Sequence, residues 1–171
     1  MAVTIRGNSA PSAAPRAFTL VELTIVVIIL AILAAVVLPK IANASDQAAE
    51  AAAQTNLAII QKQVDRYHAK HGVFPDAIDP AWFVGGQIPA NPFDLDHPAA
   101  RSVYVEPRTN AWKSEPEHKF IKDSRNNLWW YNPSLGRVRL RVEQQNTDAA
   151  TVDLFNRINA THIPSLDFIG E

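Results

Sequence analysis

The sequence predicts an α+β protein. A long N-terminal helix, its first half transmembrane and its second half amphipathic, packs against a small antiparallel β-sheet head, with a short C-terminal helix at the end. Three observations carry this prediction. Residues 18–38, FTLVELTIVVIILAILAAVVL, contain a single charge, Glu22. Apolar residues then recur at helical spacing as far as His71. Beyond Gly72 the chain breaks into short alternating runs separated by most of its 12 prolines.

Residues 1–17 carry Arg6 and Arg16, no acid, and a run of Ser, Ala and Pro. They read as an unstructured, positively charged leader, which places this end on the cytoplasmic side of a membrane. Residues 18–44 form the hydrophobic helix. As a helix, 18–38 would cover about 31 Å, the thickness of a bilayer's hydrocarbon core. The apolar core of a secretory signal peptide is only about 7–15 residues long. A competing small-x-small cleavage pattern, Ala42-Asn43-Ala44 before Ser45, is short, common in Ala-rich sequence, and leaves Glu22 unexplained. A carboxylate within a membrane helix costs on the order of 2.5–3.5 kcal/mol, so Glu22 needs a partner or a purpose.

Residues 45–171 form the head, including the amphipathic half of the helix. Either Ser45 or Asp46 caps a fresh turn, or the helix runs through with a bend at Pro39. Leu57, Ile60, Val64, Tyr67 and His71 alternate at spacings of three and four, which draws one apolar stripe. Gln61, Gln63, Asp65, Arg66 and Lys70 lie off it. Gly72 and the Phe74-Pro75 pair end the helix. If continuous, 18–71 would extend for roughly 80 Å. Segments 102–106 (SVYVE) and 118–122 (HKFIK) alternate as short strands. Segments 128–132 and 137–143 (RVRLRVE) form a hairpin across Pro133-Ser134-Leu135-Gly136. Val138, Leu140 and Val142 share one face of it, and Arg137, Arg139 and Arg141 the other. A last helix over 149–159 presents Val152, Phe155 and Ile158.

The formal charge of -1 argues against a general polyanion binder. Without Arg6 and Arg16 the 16 basic side chains fall to 14, against 17 acidic ones, so the remainder is mildly acidic. There is no cysteine, which excludes disulfides, thiol catalysis and cysteine-bound metals. No Gly-rich phosphate loop, nucleophile elbow or histidine–glutamate zinc motif is present, so no enzyme and no cofactor is predicted.

Several local patterns invite other readings. His68 and His71, with Asp65 nearby, have helical metal-ligand spacing, but no third ligand is assured and His71 belongs to the stripe. Asp94-Leu95-Asp96-His97 offers oxygens without the ligand spacing of a calcium loop, so no metal is predicted. The Arg137, Arg139, Arg141 ladder near Trp129 and Trp130 could hold phosphates and stack bases. Glu106, Asp123 and Glu143 are available to neutralise it, and salt bridges between subunits are equally natural. Trp82, Trp112, Trp129 and Trp130 suit a core or an interface. Asn159-Ala160-Thr161 matches a glycosylation acceptor, a pattern too common to use.

The stretch Arg16-Ala17-Phe18-Thr19-Leu20-Val21-Glu22-Leu23-Thr24 resembles the cleavage and methylation signal of type IV pilins and type II secretion pseudopilins. That resemblance implies a prepilin cut between Ala17 and Phe18 by a membrane peptidase, then N-methylated at Phe18. Glycine usually precedes the cut in that family, and alanine, also small, stands there in this chain. Glu22 matches the glutamate at the fifth position of the mature chain. Tyr67-His68-Ala69-Lys70-His71-Gly72-Val73-Phe74-Pro75 is similar to the end of the long helix in major pseudopilins of the G type. Asn91-Pro92-Phe93, Trp129-Trp130-Tyr131-Asn132-Pro133 and Gly136 resemble their head. The calcium-binding acidic loops of that group have no counterpart here.

The implied partners are sibling subunits, the prepilin peptidase and methyltransferase, an inner-membrane assembly platform and membrane lipid. The implied location is the bacterial inner membrane, with the N-terminus cytoplasmic and the head periplasmic, and then a type II secretion pseudopilus or type IV pilus-like filament that aids protein secretion. The alternatives are a minor or DNA-uptake pilin whose basic strand touches nucleic acid, and a conventionally secreted or anchored domain of unknown ligand. After a cut before Phe18, the new ammonium lies one helical turn from Glu22. In an array of helices, Glu22 of one subunit would meet the amine of the next and set their register.

Overall fold

The computed structural model of the chain describes residues 18–95, 100–121 and 127–170, and for 36–43 the backbone alone. The predicted leader, Ala17, Asp96, His97, Lys122 and Asp123 lie outside the described residues. The chain divides into two compact units, Met1–Asn43 and Ala44–Glu171.

Helix α1, Leu20–His71, begins in the first unit and ends in the second, and Pro39 does not terminate it. Thr19 starts it: its hydroxyl accepts from the Glu22 backbone N–H at 3.2 Å, satisfying one of the amides that a helix start leaves orphaned. Gly72 ends it at φ 75, a left-handed conformation that glycine adopts without Cβ penalty.

In the second unit the predicted stripe is the buried face of α1. Ala53, Ile60 and Val64 are fully buried and Leu57 and Tyr67 partly so, but His71 is exposed. The stripe stops a turn early because the chain leaves the helix at Gly72. His71 instead stacks on Tyr67, with ring centroids 4.1 Å apart.

The sheet has three strands in the order β1 (Val103–Val105), β2 (Trp129–Asn132), β3 (Arg137–Leu140). It is mixed rather than wholly antiparallel. β2 and β3 pair antiparallel, with Trp129 opposite Leu140, whereas β1 runs parallel to β2, with Val103 opposite Trp129. Residues 106–128 are long enough for the crossover that a parallel pair needs, and side-chain alternation carries no information on strand direction. Of the expected strand 118–122, the described residues 118–121 form one parallel bridge, between Phe120 and Val142.

β2 is buried on both faces. Trp129 and Tyr131 join Ile60 and Val64 in the main core, together with Val138, Leu140 and Phe155. Trp130 and Asn132 face the other way, under the crossover. The Trp130 indole donates to Glu106 at 3.0 Å, and the Asn132 amide to the carbonyl oxygens of Asn110 and Lys113 at 3.2 and 2.8 Å. Burial raises the Glu106 carboxyl, but hydrogen bonds from Trp130, Asn110 and Lys113 outweigh it and leave its pKa below the usual value.

Helix α2, Asp148–Asn159, is capped by Thr147, which accepts from the Ala150 N–H at 3.1 Å. Phe155 and Ile158 are buried as predicted, but Leu154 takes the core place expected of Val152, which is only partly buried. Arg157 ties α2 to α1 through Glu50 at 2.9 Å.

Lys119 is 1% exposed, with its Nζ donating to the Phe168 carbonyl. Burial pushes its ammonium down to about 8, against the pull of Glu115, Asp167 and Glu117. A lysine whose pKa falls on folding binds fewer protons folded than unfolded, so stability rises with pH between the two values. Unfolding free energy is expected to increase by on the order of 2 kcal/mol from pH 8 to pH 10. Beyond pH 10 Tyr131, pushed up by burial, works in the opposite sense. Denaturant titrations across this range test it, and Lys119→Met should flatten the rise.

Candidate functional site

The first unit presents an apolar helical surface whose described side chains are exposed. From Phe18 at 71% and Leu20 at 82% to Val26 at 46%, its large side chains remain exposed. A contiguous surface of this kind marks contact with other chains or with lipid. Among the described residues no helix is long and apolar enough to cross a membrane. The end of the predicted span, 36–38, lies outside the residues whose side chains are described.

Glu22 stands in this surface, and its carboxylate has no hydrogen bond or ion pair among the described residues. The first turn also shows what the sequence reading missed. Thr19-Leu20-Val21-Glu22 is a Ser/Thr-x-x-Glu capping pattern, legible in the sequence, and the Thr19 hydroxyl makes its half of that box. A carboxylate at the third helical position also favours the positive end of the helix dipole. Glu22 therefore sits where its charge costs least within the helix, with the carboxylate left free for another group.

The arginine ladder is largely occupied within the head. Arg139 grips Glu115 through two hydrogen bonds of 2.7 Å, and Arg137 lies 4.0 Å from the same carboxylate. Glu115, 2% exposed, was not among the acids expected to neutralise the ladder. Nothing in the sequence marks it, because the crossover alone brings it to the strand. Arg141 is 6% exposed and donates to the backbone carbonyls of His118, at 3.0 Å, and Asn127. Trp129 and Trp130 lie in the interior, so neither offers a face to a base. Trp112 is half exposed and Trp82 partly buried against Tyr67.

The histidine pair separates. His68 stacks on Phe74 at 4.1 Å while His71 stacks on Tyr67, and no group of potential ligands among the described residues could hold a metal ion. Asn159 is 3% exposed, and its amide is committed to backbone groups, so the glycosylation pattern is inaccessible.

With this geometry in view, the comparisons with known proteins are informative. Residues 13–38 match the family described as "Prokaryotic N-terminal methylation motif". The chain is 32% identical over 164 residues to the type IV major pilin protein PilE1 of Neisseria gonorrhoeae, covering 88% of this chain and 72% of that protein. No solved structure matches. A methylation motif at the start of an exposed apolar helix, joined to a head related to a pilin along most of its length, points to a structural subunit rather than an enzyme. This chain belongs to the type IV pilin family.

Proposed function

We propose that this protein is the building block of a helical filament of the type IV pilus kind. It is held in the inner membrane by residues 18–38 with its head in the periplasm, and prepilin peptidase cuts it between Ala17 and Phe18. The new amine of Phe18 is methylated, and an assembly platform draws the subunit from lipid into the filament. The apolar face of α1 then exchanges lipid for the flanks of sibling helices, and Glu22 meets the Phe18 ammonium of a neighbour. The observation that carries this reading is the Glu22 carboxylate, which has no hydrogen bond or ion pair among the described residues and stands in an exposed apolar surface. Opposite charges attract strongly in such surroundings, and leaving one unpaired is costly.

Mass spectrometry of the mature N-terminus tests the first step, with a chain beginning at methylated Phe18 expected. Glu22→Ala is expected to leave membrane insertion intact and to cut filament yield by about tenfold or more, the loss of a contact worth about 1.4 kcal/mol per subunit. Filaments at wild-type yield in that variant would dismiss the pairing.

A type II secretion pseudopilus is the second reading, favoured by the segment around the His68–Phe74 stack, which resembles G-type pseudopilins. Deleting the gene separates the two. Loss of surface filaments supports the pilus, and loss of exported protein with surface filaments intact supports the pseudopilus. Arg137, the most exposed of the three ladder arginines, is best suited to a salt bridge between subunits.

A further inference from the structure

The second unit carries a row of unspent positive charge on α1. Lys62, Arg66 and Lys70 recur every fourth residue, about 6 Å apart along the helix axis, and all three are exposed. Among the described residues none of them makes a hydrogen bond or an ion pair. Every other described lysine and arginine of this unit donates to a backbone carbonyl or stands against a carboxylate. Like charges one turn apart repel each other. The single acid on residues 59–71 is Asp65, which accepts from the Gln61 amide at 2.9 Å. Beyond the helix, Asp76 faces Arg108 at 2.6 Å, and Asp79 accepts from the Ala81 N–H at 2.9 Å.

Beside the row lies a cavity of about 250 Å³ lined by Gln63, Arg66, Tyr67, Lys70, His71 and Trp82, with no acid among them. Its lining and the residues on either side, 59–86, all belong to the described chain. The wall is aromatic: Tyr67 stacks on His71 with ring centroids 4.1 Å apart and meets Trp82 at 5.5 Å. Tyrosine, tryptophan and arginine are the side chains that carry most of the energy of protein–protein contacts.

Charge identifies the protein that fits. Residues 45–171 hold 13 basic side chains, these three among them, against 16 acidic ones. Away from the row, acids therefore prevail over the remaining 10 basic side chains. Asp46, Glu117, Glu143, Asp148 and Asp167 are exposed and make no hydrogen bond or ion pair among the described residues. The chain thus bears a cationic patch and, elsewhere on its surface, carboxylates able to meet it. Contact between two different patches of one chain is heterologous, so each copy that joins leaves a patch free for the next.

We propose that the Lys62, Arg66, Lys70 row and its aromatic cavity dock carboxylates of a second copy of this chain. Repetition of the contact along a filament rests on the reading given above; the contact itself does not.

Sedimentation equilibrium of the full chain in an uncharged detergent, at low and at high salt, tests it. Concentration-dependent association is expected at low salt and should loosen as salt screens the charges. Lys62→Gln, Arg66→Gln and Lys70→Gln together should weaken it about tenfold or more, without loss of fold because all three side chains are exposed. Glu22→Ala should leave it intact. Carbodiimide coupling in a mixture of isotopically labelled and unlabelled chains should join Lys62 or Lys70 to a carboxylate of the other copy. A wild-type chain that stays monomeric at low salt, association unchanged in the triple variant, or coupling confined to single chains overturns the proposal. Capture of a single-stranded oligonucleotide by a chain that does not self-associate also overturns it and assigns the patch to nucleic acid. Association without filaments would fail the filament reading alone and leave this contact standing.

Discussion

Replacing Asn159 by alanine is expected to destabilise the chain by about 3–5 kcal/mol, from the buried polar groups it would orphan. Asn159 is the last residue of α2, 3% exposed, and it closes the free edge of β3. Its Oδ1 accepts from the Leu140 N–H at 2.7 Å, and its Nδ2 donates to the Leu140 carbonyl at 3.0 Å and to Phe155 O at 3.1 Å. The amide thus acts as one residue of an absent strand and joins α2 to the sheet at the same time. Asn159→Ala leaves the N–H and C=O of Leu140 buried without partners. Chemical unfolding should show the loss, and amide exchange at Leu140 should quicken by a comparable factor. Asn156→Ala supplies the comparison. That side chain brackets Ile163 in the same fashion, at 2.9 and 3.1 Å, but is only partly buried, so a loss of about 1–2 kcal/mol is expected. Equal effects at the two positions would refute the ranking by burial.

Gly136→Ala is expected to cost about 2–5 kcal/mol through two separable causes. Gly136 sits at φ 64, where an L residue loses about 1–2 kcal/mol. A Cβ there would also enter the Phe74 ring, closer than real Cβ atoms approach, and overpacking of that kind adds about 1–3 kcal/mol. The turn cannot simply lift away. Gln61 on α1 donates to the Gly136 carbonyl at 2.8 Å and accepts from the Val138 N–H at 3.0 Å, which pins the hairpin to the helix. A double-mutant cycle apportions the causes. In a Phe74→Ala background, the added cost of Gly136→Ala should fall to the backbone part alone. An undiminished cost would show that the ring yields and that the left-handed backbone carries the whole effect.

Both predictions turn on side-chain partners that the sequence does not show. Asn159 stands in a glycosylation pattern too common to use, and Gln61 lies off the apolar stripe. Each side chain pairs with backbone a long way off in sequence, and pairing of that kind leaves no periodic trace. The same reason explains Glu115, which the crossover carries to Arg139, and the parallel direction of β1. His71 fell off the stripe because periodicity does not report where a helix loses its cover.

What the sequence determined by itself is whatever depends on local spacing. The apolar run with one carboxylate a turn inside it, the start of α1 at Thr19, its stop at Gly72 and the hairpin around Gly136 are all set by residues within a few positions of each other. The tertiary structure decided which polar groups are spent inside the head and which remain free. Burial is a property of the assembled layers: it committed Arg139 to Glu115, sank Trp129 and Trp130, and spent Arg141 on the backbone carbonyls of His118 and Asn127. Glu22 belongs to the first kind, because its distance from Phe18 is set along one helical turn.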